Sequence, residues 1–213
     1  MKKFGFVLFM LALALMLTGS ALAQNVGDNS VYFVTYYSNA NTTGAPDGVV
    51  RLINDGDQAT AASEGKENGA LWAAFYVFDD SEELRSCCAC YVSADGLVSE
   101  SINKQLTSDE FTGRGEISRG VIKVVSSSTS DPTNPVASPG LRGWGTHIQA
   151  TTNTNAGLTT ISPKGPWFVT ETPLADSNLT TVELGNLAET CSFGLTLGSG
   201  YGSCPCTTAD YDF

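Results

Sequence analysis

The sequence predicts a mainly β fold: an antiparallel β-sandwich or barrel-like domain with one short C-terminal helix, stapled by disulfides. Three observations predict it. Short β-branched and aromatic runs recur between turns rich in Gly, Asp and Ser. One segment, opening at Thr180, carries a helix start signal followed by apolar residues at helical spacing. Six cysteines fall in two clusters, Cys87-Cys88-Ala89-Cys90 and Cys191 with Cys204-Pro205-Cys206, in a chain that begins like an exported protein.

The strands follow in order. Residues 31–37 are β-branched or aromatic at every position. The turn signal Pro46-Asp47-Gly48 leads into a second strand over 49–53. Residues 70–78 form an unbroken apolar run between Asn68-Gly69 and Asp79-Asp80. Its length suits a strand covered on both faces better than a helix. Residues 84–92 carry the first cysteine cluster, and Ala94-Asp95-Gly96 closes that strand. In extended backbone, Cys88 and Cys90 point to one face and Cys87 to the other. Residues 97–106 are ambiguous. Residues 120–126 place Ile122 and Val124 on one face, and Val121, Lys123 and Val125 on the other. Residues 144–150 and 167–172 are two further strands.

The helix is argued from its start. Thr180 and Glu183 make a capping box, and Leu179 and Leu184 occupy the staple positions around it. Leu184, Leu187, Ala188 and Cys191 then follow i, i+3, i+4, i+7. This sets Cys191 on the buried stripe at the helix end, placed for a disulfide to the sheet. Gly185 inside the helix costs up to ~1 kcal/mol relative to alanine, so packing and that bridge must hold the helix. Residues 126–140, with three prolines, and 151–157 read as long, mobile surface loops of one domain spanning 24–213.

Residues 1–23 read as a signal peptide. Lys2 and Lys3 are its positive start, residues 4–17 its apolar stretch, and Ala21-Leu22-Ala23 its small-x-small site, with cleavage between Ala23 and Gln24. The stretch of 14 apolar residues is short of the ~20 that a membrane span needs. Stable membrane insertion is therefore not expected, and the mature product belongs in the periplasm or outside the cell. The formal charge of −11 becomes −13 when Lys2 and Lys3 leave. That balance argues against nucleic-acid binding, which needs a basic patch on the phosphates. Hydrophobic residues at 42% and charged residues at only 15% set the chain apart from disordered segments.

Export gives the cysteines their meaning. An even count in an oxidising compartment favours disulfides, and all six are candidates: Cys87, Cys88, Cys90, Cys191, Cys204 and Cys206. Six cysteines allow about 15 pairings. The simplest arrangement joins the clusters three against three. One bridge closing so long a loop contributes about 4–5 kcal/mol in the chain-entropy model. A zinc site is the first rival, but C-C-x-C and C-x-C depart from the usual C-x2-C spacing. Redox chemistry at Cys204-Pro205-Cys206 is the second. It wants a nearby cation or helix start, and neither Gly202-Ser203 nor Thr207-Thr208-Ala209-Asp210 supplies one. No metal ligand set and no cofactor is expected.

Catalytic candidates are few, and none is assigned. His147 is the sole histidine, so a two-histidine mechanism is excluded, and no G-x-S-x-G elbow is present. Asp79-Asp80 and Glu82-Glu83 have the chemistry for a general acid and base, but after a buried strand they read as solvated turn residues. Asn54-Asp55-Gly56-Asp57 matches part of a calcium loop and reads as a hairpin turn. Tyr32, Tyr36, Tyr37, Trp72, Trp144 and Trp167 suit sugar stacking, though in a β protein they read first as core.

Several segments carry a resemblance: Tyr76-Val77-Phe78-Asp79, Cys87-Cys88-Ala89-Cys90, Gly120-Val121-Ile122-Lys123-Val124-Val125-Ser126, Cys191-Ser192-Phe193 and Gly198-Ser199-Gly200-Tyr201-Gly202-Ser203-Cys204-Pro205-Cys206. Together they resemble a set of secreted bacterial proteins of unknown function, over most of the mature chain. The resemblance implies no activity. The reading is a secreted, non-enzymatic surface, matrix or binding module with an extracellular protein or carbohydrate partner. The rivals are a carboxylate-dependent, glycosidase-like hydrolase and a thiol redox protein. An acidic pair with a raised pKa in a concave pocket favours the hydrolase. An exposed apolar patch favours the binding module.

Overall fold

Alternating side chains sort this chain into three layers. The computed structural model describes residues 30–56, 68–111, 117–150, 152–155, 158–161 and 166–207. The expected signal peptide, the cleavage point at Ala23 and Gln24, and Asp57 lie outside the described residues. Eleven strands are described: β1 (Tyr32–Ser38), β2 (Val49–Asn54), β3 (Leu71–Asp79), β4 (Leu84–Val92), β5 (Leu97–Ser101), β6 (Arg119–Ser127), β7 (Leu141–Ala150), β8 (Thr152–Asn155), β9 (Leu158–Ile161), β10 (Trp167–Pro173) and β11 (Ala175–Asp176). One α-helix follows, α1 (Thr181–Leu197).

A five-stranded antiparallel sheet has the order β11-β1-β6-β3-β4, and a four-stranded one has the order β10-β7-β2-β5. Their facing sides bury Phe33, Phe75, Val77, Ile122 and Val124 from the first sheet against Val50, Leu52, Val98 and Leu141 from the second. The other side of the five-stranded sheet buries Tyr32, Ala74, Tyr76 and Val125 against Leu187 and Cys191 of α1. This double cover explains the apolar run in β3, whose odd residues face the sandwich and whose Ala74 and Tyr76 face the helix. Ile122 and Val124 of β6 face the sandwich, and Val125 faces the helix, as the alternation predicts.

The ambiguous stretch divides. β5 takes its first half, and a single π turn, Ile102–Leu106, takes the rest. Thr107 N donates to Ile102 O at 2.8 Å to close that turn, and Ser101 Oγ caps it by accepting from Lys104 N. The Asn54 turn is of the Asx kind: Gly56 N donates to Asn54 Oδ1, and the buried Asn54 Nδ2 donates to Gly69 O and Val92 O.

Of the two expected loops, the first is a loop and the second needs correction. Residues 126–140 form a tied excursion. Ser128 N donates to Val136 O, Ser138 N to Ser126 O, and Tyr76 Oη to Pro132 O at 2.7 Å. Its serines and threonines are hydrogen-bonding groups, with Ser127 Oγ accepting from Thr129 N and Val136 N. Within 151–157, residues Thr152–Asn155 are strand β8, paired with β9. Threonine's β preference outweighs the polar composition there.

The helix also exceeds its expectation. It runs six residues past Cys191, so that cysteine lies within the helix instead of at its end. Thr180 Oγ1 accepts from Glu183 N at 3.1 Å, but the Glu183 side chain does not close the capping box. It reaches across to the sheet instead.

Candidate functional site

The cysteines are all paired, three against three. Cys87 joins Cys191, Cys88 joins Cys204, and Cys90 joins Cys206, with Cα separations of 6.0, 5.3 and 5.3 Å. Extended backbone in β4 turns Cys87 toward α1, and Cys88 and Cys90 toward the sandwich core. The C-terminal segment 202–206 runs beside β4: Cys87 N donates to Gly202 O at 2.8 Å, and Cys87 forms a parallel bridge with Ser203. Gly202 sits at φ +88°, and a Cβ there would lie 1.8 Å from the Phe111 ring, so glycine is required.

Beside α1 a cleft of about 420 Å3 opens against the sheet, lined by Phe78, Asp79, Glu82, Lys123, Glu183 and Asn186 among others. Glu183 Oε1 accepts from Lys123 Nζ at 2.7 Å and from Tyr32 Oη at 2.9 Å. The Lys123 bond holds the Glu183 carboxyl below the usual range; burial opposes it and the Tyr32 bond assists. Burial and Glu183 push the Tyr32 phenol upward. Lys123 Nζ also lies 5.0 Å above the Phe78 ring. The arrangement locks the helix start onto the sheet and favours an ionised carboxylate, the opposite of a poised general acid.

The acidic hairpin is more structural than its sequence suggests. Asp79 is buried, contrary to the solvated-turn expectation. Its Oδ1 accepts from Ser81 N and Glu83 N, and its Oδ2 pairs with Arg85 Nη1 at 3.3 Å. Arg85, also buried, pairs with Glu110 at 2.6 Å. Asp80 is exposed and pairs with Arg119 at 2.6 Å. Burying Arg85 calls for a buried acid, and Asp79 answers that need.

Among the described residues, the Glu100 carboxyl is pushed upward by burial and restrained by hydrogen bonds from Thr207. It is fully buried on β5, on the face it shares with Val98. Thr207 N donates to both its oxygens at 3.0 and 2.9 Å, and Thr207 Oγ1 adds a third bond. It anchors the chain just beyond Cys206. Nothing singled out Glu100, Arg85 or the Lys123–Glu183 pair beforehand. Strand phase carried the signal for Glu100, two residues from Val98 on an inward face.

His147 is buried, stacked on Tyr36 with centroids 4.0 Å apart, and its Nε2 is 2.7 Å from Thr172 Oγ1. Burial holds its pKa below the ordinary value, with the Tyr36 backbone opposing. Tyr32 and Tyr37 are core residues, whereas Trp72 packs edge-on to Tyr91. The six aromatics do not assemble into one sugar platform.

Exposed apolar side chains gather in two places. Along α1, Val182, Phe193 and Leu197 are exposed. On β10, Phe168 is 64% and Val169 52% exposed, and every residue from Phe168 to Pro173 is exposed. Adjacent strand residues point to opposite faces, so β10 is open on both. It is the terminal strand of its sheet, pairing only with β7 among the described residues. No known protein-family model, curated protein or solved structure matches the chain.

Proposed function

We propose that the chain is an exported, non-enzymatic binding module of a cell surface or extracellular matrix, with β10 as its contact edge. One observation carries the reading: a seven-residue terminal strand exposed on both faces, with Phe168 and Val169 outward. Edge strands are ordinarily shielded because their free N–H and C=O groups template pairing. The one charge on β10, Glu171, is already paired with Arg51. An extended segment of an extracellular protein, added as a further strand, fits this edge.

Export is supported by the basic start, apolar stretch and Ala21-Leu22-Ala23 site, and by three disulfides, which suit an oxidising compartment. The resemblance to secreted bacterial proteins points the same way. Among the described residues, no helix is long and apolar enough to cross a membrane. The hydrolase reading loses support because Asp79 and Glu183 are held in ion pairs and Glu100 is occupied by Thr207.

The test uses purified mature protein against extracellular proteins, polysaccharides, esters and peptides. Binding of an extended protein segment that weakens at least about tenfold in Phe168→Ser/Val169→Thr, with circular dichroism unchanged, is the expected result. Turnover of any substrate that Glu183→Gln or Asp79→Asn abolishes would overturn the non-enzymatic reading.

A further inference from the structure

Two C-x-C motifs meet face to face in this molecule. Cys88 and Cys90 share one side of β4, and Cys204 and Cys206 lie opposite them on the segment that runs alongside. The Sγ atoms of Cys88, Cys90 and Cys206 all lie within 4.8 Å of one another, and Cys204 is bonded to Cys88. Cys88 Sγ and Cys90 Sγ, which are not bonded to each other, are 3.8 Å apart. A tetrahedral metal with metal–sulfur bonds of about 2.3 Å sets neighbouring sulfurs roughly 3.8 Å apart. Three of the four cysteines are buried, and Cys206 is partly exposed, giving an entry side.

We propose that Cys88, Cys90, Cys204 and Cys206, once reduced, form a single four-thiolate site for a soft or borderline cation such as Zn2+. Reduction needs an external dithiol or phosphine. Each bridge takes up two electrons and two protons to give two thiols, while the dithiol becomes a disulfide or the phosphine, taking oxygen from one water, becomes its oxide. Binding then converts four thiols to thiolates and releases four protons. The metal links the same two segments as the bridges do, so it holds the C-terminal segment on β4 in a chain not yet oxidised. Thr207 on Glu100 and Cys87 N on Gly202 O keep the two motifs in register. Cys87 and Cys191 stand on the other side of β4 and take no part.

The full mature chain, reduced with a phosphine without oxygen, is titrated with Cd2+ and followed by thiolate charge-transfer absorbance, native mass spectrometry and protease resistance. One Cd2+ per chain is expected, in wild type and in Cys87→Ala/Cys191→Ala alike, with protease resistance kept or restored by the metal. Cys90→Ser/Cys206→Ser should bind more than about tenfold more weakly, since even outer-shell changes cost about 10–100-fold. No binding, more than one ion per chain, undiminished binding by the Cys90→Ser/Cys206→Ser variant, or a metal-bound chain that digests like an unfolded one would each overturn the site.

Discussion

β4 and β10 are both terminal strands, and the molecule treats them in opposite ways. The outer edge of β4 is met at Cys87 by Gly202 and Ser203 and at Arg85 by Phe111, and three disulfides fix the strand to the rest of the molecule. The outer edge of β10 carries no strand among the described residues, and its side chains are exposed on both faces. Sheet edges are association sites unless blocked. Covalent closure at one edge and an open edge at the other are the contrast on which the proposed contact at β10 rests. The contrast also separates two kinds of cysteine work. Cys87 reaches outward to the helix, while Cys88 and Cys90 clamp the C-terminal segment to the core side.

The closed edge is most sensitive at the clamp. Cys88–Cys204 and Cys90–Cys206 each have a sequence separation of 116 and close nearly the same loop. Cys87–Cys191 stays and already closes most of that loop, so removing both should cost about 3–5 kcal/mol in the chain-entropy model, and removing either alone clearly less than that. Urea denaturation of Cys88→Ala/Cys204→Ala, Cys90→Ala/Cys206→Ala and the quadruple variant measures this strong non-additivity.

Asp79→Asn comes next. It removes one of the two acids paired with buried Arg85 at the start of β4, Glu110 remaining, and should cost about 1–3 kcal/mol. The neighbouring Asp80→Asn, on an exposed pair, should change stability by no more than about 1 kcal/mol in the same assay.

Glu100 sharpens the closed edge through pH. Its folded pKa is raised above the ordinary 4.5, so the folded state binds the proton more tightly than the unfolded state. Its contribution is therefore most favourable below pH 4.5 and is lost as pH rises from there through the raised value. Glu100→Gln should gain stability relative to wild type between pH 4 and roughly pH 7, and denaturation at both ends checks the sign. The smallest effect belongs to the open edge. Phe168→Ser/Val169→Thr should move stability by only about 0.5 kcal/mol or less, because exposed side chains contribute little to folding.

Much of this fold was legible because burial writes itself as period and phase. The unbroken apolar run of β3 announced cover on both faces, and alternation in β4 separated Cys87 from Cys88 and Cys90. Thr180 marked the helix start from its capping pattern alone. The polar interior was not legible. Asp79 looked like its neighbour Asp80, and only the buried guanidinium of Arg85, six residues on, tells them apart. Glu183 belonged to a capping box on paper, yet Lys123 and Tyr32 draw its side chain to the sheet, a contact across 60 and 151 residues. The open edge of β10 could not be read either. Its apolar Phe168 and Val169 look like core until the sheet order places them at the end.

Hydrogen exchange followed by mass spectrometry on the oxidised protein probes the contrast between the edges. Slow exchange is expected in β4 at the positions held by Gly202 and Phe111, and markedly faster exchange in β10, with β4 losing its protection in the variant lacking both clamp disulfides. Equal protection of β4 and β10 in the isolated protein would contradict it, because β10 would then be a covered strand with no free edge to offer.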